Sequence, residues 1–449
     1  MTTAARKAPD FLRKSVIYQL FLRAFTREGT LKEAEKMLPH LSDLGIDLIY
    51  LCPVTLADDD ADLAFWSPRQ KASGMDNPQN PYRVKDYFAL DPEYGSAADL
   101  KEFVQAAHAL GIRVMLDLVY YHCGPKANLI EEHPDFVRRD PEGRICNGEW
   151  CFPELDFSNP ALREYLWGNM EYFVREFQVD GYRIDVASPK IPVDFFEEAH
   201  RRLEVLNPDI FLLAESQHPD NQRSAYDLEY DHGSCSILRR IFLENASPAL
   251  LQQDRLRLET EFPSGARFMS FIENHDTANN DYENRLERKL GHRGKDAMLT
   301  ILFALKEIPM LYNGEEAADD NRHSLWANRF HGKNLTIKWE NLRMPFGERR
   351  YRLLRHLIHL HRTESAFYEG SVEWLGGDEV FALCRTGESG RFLCAVNPRG
   401  EVRTLETPLP SGGSWNPDAV VLREGVCAVQ NGSCLQLTLE AYGYLITKL

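Results

Sequence analysis

Eight short runs of β-forming residues, most of them nearly continuously apolar, recur through most of this 449-residue chain. They are 16–21 (VIYQLF), 47–51 (DLIYL), 113–119 (RVMLDLV) and 179–185 (VDGYRID), then 210–215 (IFLLAE), 225–231 (AYDLEYD), 267–273 (RFMSFIE) and 308–313 (IPMLYN). A strand with one wet face alternates apolar and polar side chains; a run without that alternation is buried on both faces, as in a parallel sheet. Amphipathic stretches with helical spacing lie between most of the runs, at 31–44, 97–110, 162–177, 195–206 and 295–306. Eight such strands with intervening helices predict an α/β fold, a closed (β/α)8 TIM barrel in preference to an open doubly wound sheet.

Two long connections interrupt the pattern. Residues 53–95 follow the second run and 120–160 follow the third, both rich in Pro, Asn, Asp and Gly. Both leave from the strand ends at which barrels carry their sites. The second is long enough for a small inserted subdomain. After a helix at 351–362 the pattern turns to alternating runs at 380–384, 391–397, 420–422, 435–439 and 444–447, punctuated by Gly and Pro. These predict a C-terminal antiparallel β-sandwich. The expected division is a first part of the barrel over 1–120, a subdomain over 121–160, the rest of the barrel over 161–364 and the sandwich over 365–449.

Composition narrows the partners. The net charge is −16, from 68 acidic against 52 basic residues, which disfavours a polyanion and so nucleic acid. No stretch is long and apolar enough to span a membrane, and the N-terminus lacks the apolar segment of a secretory signal. Nine scattered cysteines without a C-x-x-C pair fit reduced thiols in a cytoplasmic protein. A mature secreted form is the alternative.

The chemistry is concentrated where apolar strands end. Asp117, Asp185, Glu215 and the Glu273–Asp276 group all lie within or just past such ends. A buried carboxylate costs several kcal/mol unless it is paired, so several converging on one barrel mouth point to catalysis. In 181–185 (GYRID), residues two apart share a strand face, so Arg183 and Asp185 point the same way. A neighbouring guanidinium favours an ionised carboxylate, as a nucleophile requires, although a structural Arg–Asp pair has the same pattern. Glu215 ends an aliphatic strand, and like charges nearby would keep it protonated and ready to donate. His122 and His275 flank the strand ends as donors to hydroxyls, and Tyr82 in Asn80-Pro81-Tyr82 has a ring suited to a sugar face. The acidic run 58–60 with Asp62 lacks the spacing of a calcium loop and reads as a solvated turn. Phosphate-loop, dinucleotide, H-E-x-x-H and G-x-S-x-G motifs are all missing from the sequence.

Together these segments resemble the α-amylase family of glycoside hydrolases. DLVYYH (117–122), GYRID (181–185), LLAES with Glu215, and FIENHD (271–276) match the family's four signature regions in order. VIYQLFLRAF, NPYRVKDYFALDPEYG and IPMLYNGEE extend the likeness over essentially the whole chain. The resemblance implies Asp185 as nucleophile, Glu215 as general acid/base and Asp276 as transition-state stabiliser. It also implies His122 and His275 as glycone ligands, Arg183 as the partner that keeps Asp185 ionised, and Tyr82 as a stacking platform. The implied reaction is retaining hydrolysis of α-glucosidic bonds in malto-oligosaccharides or related α-glucans, by double displacement through a covalent glycosyl-enzyme.

Departures from the family pattern shape the rest. Many members carry a calcium-binding Asn before the first signature His; here it is Tyr121, so no cofactor is expected, and calcium stays possible without support from the sequence. The acidic cation loop of related glucosidases is replaced by Arg23-Ala24-Phe25-Thr26-Arg27. Ala187-Ser188-Pro189 stands where many endo-acting amylases have a Lys-His pair, which favours shorter α-glucosides. Two alternatives stay open: a transglycosylase or α-glucoside isomerase using the same residues, and a non-catalytic barrel relative acting as a binding or scaffold protein.

Overall fold

A computed structural model describes residues 4–280, 285–331, 335–409 and 415–449. Its strands are β1 (Ile17–Leu20), β2 (Leu48–Leu51), β3 (Thr55–Ala57), β4 (Val84–Leu90), β5 (Arg113–Leu118), β6 (Gly181–Ile184), β7 (Phe211–Ala214), β8 (Leu228–Tyr230), β9 (Phe268–Ser270) and β10 (Ile308–Tyr312). Then follow β11 (Ser371–Trp374), β12 (Phe381–Gly387), β13 (Gly390–Val396), β14 (Arg403–Pro408), β15 (Val420–Asn431) and β16 (Cys434–Lys448). Eight of them close a parallel barrel in the order β1-β10-β9-β8-β7-β6-β5-β2, and each coincides with one of the eight apolar runs.

Alternation along the barrel strands sorts each residue inward or outward. Ile17, Leu48, Tyr50, Met115, Phe211, Leu213, Tyr230, Met269 and Met310 pack with one another as the barrel interior, and Leu12 from the N-terminal turn seals the bottom. Gly181 is required at that lower level, because a Cβ there would lie 2.6 Å from the Phe211 ring. In register, Met115 stands beside Gly181 and Asp117 beside Arg183, while Ile184 pairs with Ala214. The next residues along β6 and β7 are Asp185 and Glu215, which therefore emerge side by side at the upper rim.

The connection after β2 holds the antiparallel pair β3–β4 and a short helix, Pro68–Ala72. That after β5 is a compact subdomain, tied by isolated bridges such as Asn147 to Pro153 and His122 to Glu154. Among the described residues no helix is long and apolar enough to cross a membrane.

Two local expectations need correction. The stretch 31–44 is two helices, Leu31–Glu35 and Leu38–Leu44, since Pro39 opens the second and cannot sit inside a continuous one. The C-terminal sandwich contains β11 and β14, which the apolar pattern missed because both lie largely toward solvent. The runs 435–439 and 444–447 are one strand, β16, and 420–422 is only the start of β15. β16 pairs with β14 along its first half and β13 along its second, so one bent strand carries both layers. Bulges in β15, with Gly425 at φ +58°, follow the bend.

Candidate active site

Arg183 is the centre of the rim, with no exposed side-chain surface. Its Nη1 donates to Asp117 Oδ1 at 2.7 Å and to Asp185 Oδ1 at 2.9 Å, and its Nη2 lies 2.6 Å from Glu215 Oε1. The guanidinium rests over the rings of Tyr50 and Tyr230. Asp117 is used up below the mouth: its Oδ2 accepts from Tyr50 Oη at 2.8 Å and from Tyr82 Oη at 2.7 Å. Buried charges are tolerated only with such complete pairing.

Above this layer opens a cavity of about 300 Å³. Asp185, Glu215, Asp276, Tyr82, His122 and His275 all line it, while Arg183 braces it from beneath. The Tyr82 ring is stacked on His275, with centroids 5.2 Å apart and planes 9° apart. β9 ends at Ser270 and a helix, His275–Asn280, begins where the polar run does, which brings both His275 and Asp276 to the mouth. Glu273 goes elsewhere. It accepts from the Leu286 amide at 2.9 Å and from Arg285 Nε at 3.2 Å, and pairs with buried Lys295, whose Nζ also lies 3.0 Å from Glu315.

Burial pushes the Asp185 carboxyl well above the usual carboxylate range; Arg183 pulls against this, while Glu215, Asp117 and Asp276 push the same way. The expectation that Arg183 alone keeps Asp185 ionised is thereby corrected. One guanidinium is outnumbered by the carboxyls around it. At Asp276 burial also pushes upward, but His275, Arg69 and Arg183 outweigh it and hold the carboxyl below its ordinary value.

The two histidines have opposite hydrogen-bonding roles. Gln19 accepts from the His275 amide through Oε1 and donates to His275 Nδ1 at 2.8 Å through Nε2, so the ring proton sits on Nε2, which faces Asp276 at 3.7 Å. His122 instead gives its Nε2 proton to the Tyr82 carbonyl at 2.8 Å. Burial lowers His122 to about 4, so it is neutral and its partnerless Nδ1 is an acceptor. Both were expected as donors; only His275 has that role.

Several lining residues escaped the sequence reading. Trp150 and Phe152 come from the subdomain, Trp326 from the loop after β10, and Arg69 from the connection after β2. Val186 also lines the cavity, and its amide donates to Glu215 Oε2 at 3.0 Å. Glu229, buried under the next loop, accepts from the His218 amide, Asn221 and Gln222 and so fastens the segment that follows Glu215; burial pushes it to about 7. A lone residue in a loop carries no periodic signal, and Glu229, inside β8, has nothing in its run to mark its role, so none of these was legible.

The acidic run after β3 is satisfied by its own backbone. Asp58 accepts from the amides of Asp60 at 2.7 Å and Lys126 at 2.6 Å, and Asp60 and Asp62 accept from amides two residues on. At the position before His122, where the resemblance implied a calcium ligand in many members, Tyr121 presents a phenol hydrogen-bonded to Glu154 and an edge to Trp150, a donor set that does not fit that ion. Among the described residues no group of three or more His, Cys, Asp or Glu side chains is arranged to hold a metal.

Comparison with known proteins agrees with the geometry. The family model described as "Alpha amylase, catalytic domain" matches residues 12–141 and 149–382. The cyclomaltodextrinase of Geobacillus thermopakistaniensis is 25% identical, over 98% of this chain and 78% of its own. The maltogenic α-amylase of Bacillus acidopullulyticus is 27% identical, over 98% and 78%. A solved maltogenic α-amylase from Thermotoga neapolitana superposes with a TM-score of 0.79 at 24% identity, covering 98% of this chain and 99% of that one.

Proposed function

The chain belongs to the α-amylase family of glycoside hydrolases, and from that premise we propose that it is a retaining α-glycosidase acting on malto-oligosaccharides or related α-glucans, with Asp185 as nucleophile, Glu215 as acid/base and Asp276 as stabiliser. The observation that carries the assignment is Arg183 reaching both Asp185 and Glu215 with adjacent nitrogens. Two carboxyls sharing one guanidinium suit the roughly 5–5.5 Å separation of a double displacement.

In the first step Glu215 gives its proton to the glycosidic oxygen, the C1–O bond breaks, and an Asp185 oxygen bonds to C1. With the acid proton on Glu215, Asp185 is the free nucleophile. Asp276 accepts from hydroxyls of the same sugar, and its negative charge opposes the positive charge developing at C1. Tyr82 supports the ring face, His275 donates through Nε2 and His122 accepts through Nδ1. In the second step Glu215 takes a proton from water, the water oxygen bonds to C1, and the ester to Asp185 breaks with the anomeric configuration retained. A sugar hydroxyl in place of water gives transfer by the same steps. All nine cysteines are free, which supports a cytoplasmic location.

Glu215→Gln given α-glucosyl fluoride, whose leaving group needs no acid, is expected to accumulate a glucosyl ester on Asp185 detectable by mass spectrometry. Asp185→Asn is expected to lose activity on maltotriose by about 10³-fold or more with an unchanged fold. Near-native turnover in either variant, or a β-anomeric first product from wild type, would overturn the assignment.

A further inference from the structure

The carboxylate assigned as stabiliser already has a partner. Arg69 Nη1 donates to Asp276 Oδ1 at 2.8 Å across 207 residues of sequence. The Arg69 side chain is 50% exposed and that of Asp276 30%. An ion pair this open to water contributes little to stability, so the fold gains almost nothing from it. Both members line the catalytic cavity, where every other charged wall residue is acidic: Asp185, Glu215 and Asp276.

The backbone that presents Arg69 is firmly held. Ser67 caps the short helix by accepting from the Gln70 amide, and buried Gln70 donates to the Asn77 carbonyl at 3.1 Å. Buried Arg83 clamps the same connection through the carbonyls of Phe65 at 2.9 Å, Asp60 at 2.7 Å and Pro78 at 2.8 Å. This connection is also tied to the loop after β10. Arg322 donates to the Ser73 carbonyl at 3.0 Å, and Arg23 donates to the carbonyls of both Gln79 and Leu325. The two loops therefore form one continuous wall on the Asp276 side, with Arg69 and Trp326 on its inner surface. The enclosed volume, about 300 Å³, is at the small end for ligand sites.

Asp276 accepts from hydroxyls of the attacked sugar while the leaving group departs on the Glu215 side, so a group paired with Asp276 lies on the glycone side. In that place a long α-glucan would continue to its next unit. Arg69 fills it with a guanidinium that has five N–H donors and uses one on Asp276. An acceptor beside a free donor suits adjacent hydroxyls of a chain end, where the terminal oxygen is a hydroxyl and not a glycosidic link.

Resting on the retaining α-glucosidic assignment above, we infer that Arg69 is a specificity-determining residue: it closes the glycone end of the cavity, donates to the hydroxyls of a terminal glucosyl unit, and confines the enzyme to exo action from the non-reducing end.

The test compares p-nitrophenyl α-glucoside with a p-nitrophenyl maltoheptaoside blocked at its non-reducing end, using wild type, Arg69→Ala and Arg69→Met. Wild type is expected to cleave the first and leave the second intact. Arg69→Ala, which removes the donors and the bulk, is expected to lose about 10–100-fold in kcat/KM on the glucoside and to gain measurable cleavage of the blocked substrate. Arg69→Met keeps the bulk and is expected to show the loss without the gain. Cleavage of the blocked chain by wild type, or kinetics on the glucoside unchanged in both variants, overturns this inference and leaves the catalytic assignment standing. A wild type inert on every α-glucoside overturns the catalytic assignment itself, and this inference with it.

Discussion

The amide of Val186 donates to Glu215 Oε2 at 3.0 Å from a backbone at φ +46°, a left-handed conformation that β-branched residues almost never adopt. An extended continuation of β6 would carry that amide past Glu215. The strain, about 1–3 kcal/mol for such a residue, sits next to Asp185, the proposed nucleophile, at the residue whose amide donates to Glu215, the proposed acid/base. Val186→Gly adopts the same φ freely and keeps the amide, so kcat on p-nitrophenyl α-glucoside is expected within a few-fold of wild type. Val186→Pro removes the donor and forces φ near −65°, with an expected loss of about 10²-fold or more. Equal activity in the two variants, both with native melting curves, would leave the amide without a catalytic role.

Lys295 lies among Glu273, Glu287 and Glu315, all without meaningful exposure. Replacing it with Met strands buried carboxylates and is expected to cost about 3–5 kcal/mol. Urea titration would show this as a lower midpoint at unchanged slope. A shift of only a few tenths of a kcal/mol would mean that the network redistributes its charge.

His122 supplies a pH dependence. Its ordinary value of 6.5 is lowered to about 4 by burial. A depressed folded-state value means its contribution to stability is fully present above 6.5 and is lost as the pH falls through about 4. The span corresponds to at most about 3 kcal/mol. His122→Asn is expected to flatten the decline in unfolding free energy over that window by a comparable amount, read from urea melts at its two ends. An unchanged slope would show that the ring protonates without penalty.

Tyr82 combines two interactions that separate by substitution. Tyr82→Phe keeps the ring stacked on His275 and removes one donor to Asp117, which retains Tyr50 and Arg183. A loss of about 10-fold or less in kcat/KM is expected. Tyr82→Ala also removes the sugar platform and is expected to lose about 10-fold more. If Phe and Ala were equally impaired, the hydroxyl, not the ring, would be the functional part.

The eight barrel strands were legible because burial on both faces leaves short apolar runs, rich in β-forming residues, between stretches of helical periodicity. Asp185 and Glu215 were legible because a carboxylate ending such a strand is chemically out of place. Less came through in the sandwich, where β11 and β14 face water and their side chains carry little constraint. Within Phe271–Asp276 spacing alone offered two carboxylates, and the choice of Asp276 came from the family resemblance. The end of β9 and the start of the next helix send Asp276 to the cavity and Glu273 to Lys295.

By itself, then, the order of residues determined which strands form and which acids stand at their ends, since both follow from whether a side chain can leave water. Only the tertiary structure decided where protons sit and how far the mouth opens. Asp185 is pushed upward by burial and by carboxyls from other strands, His122 takes its tautomer from a loop carbonyl, and Arg69 meets Asp276 from a distant connection. Those are energies between groups far apart in the chain, and they exist only once the barrel has brought the groups together.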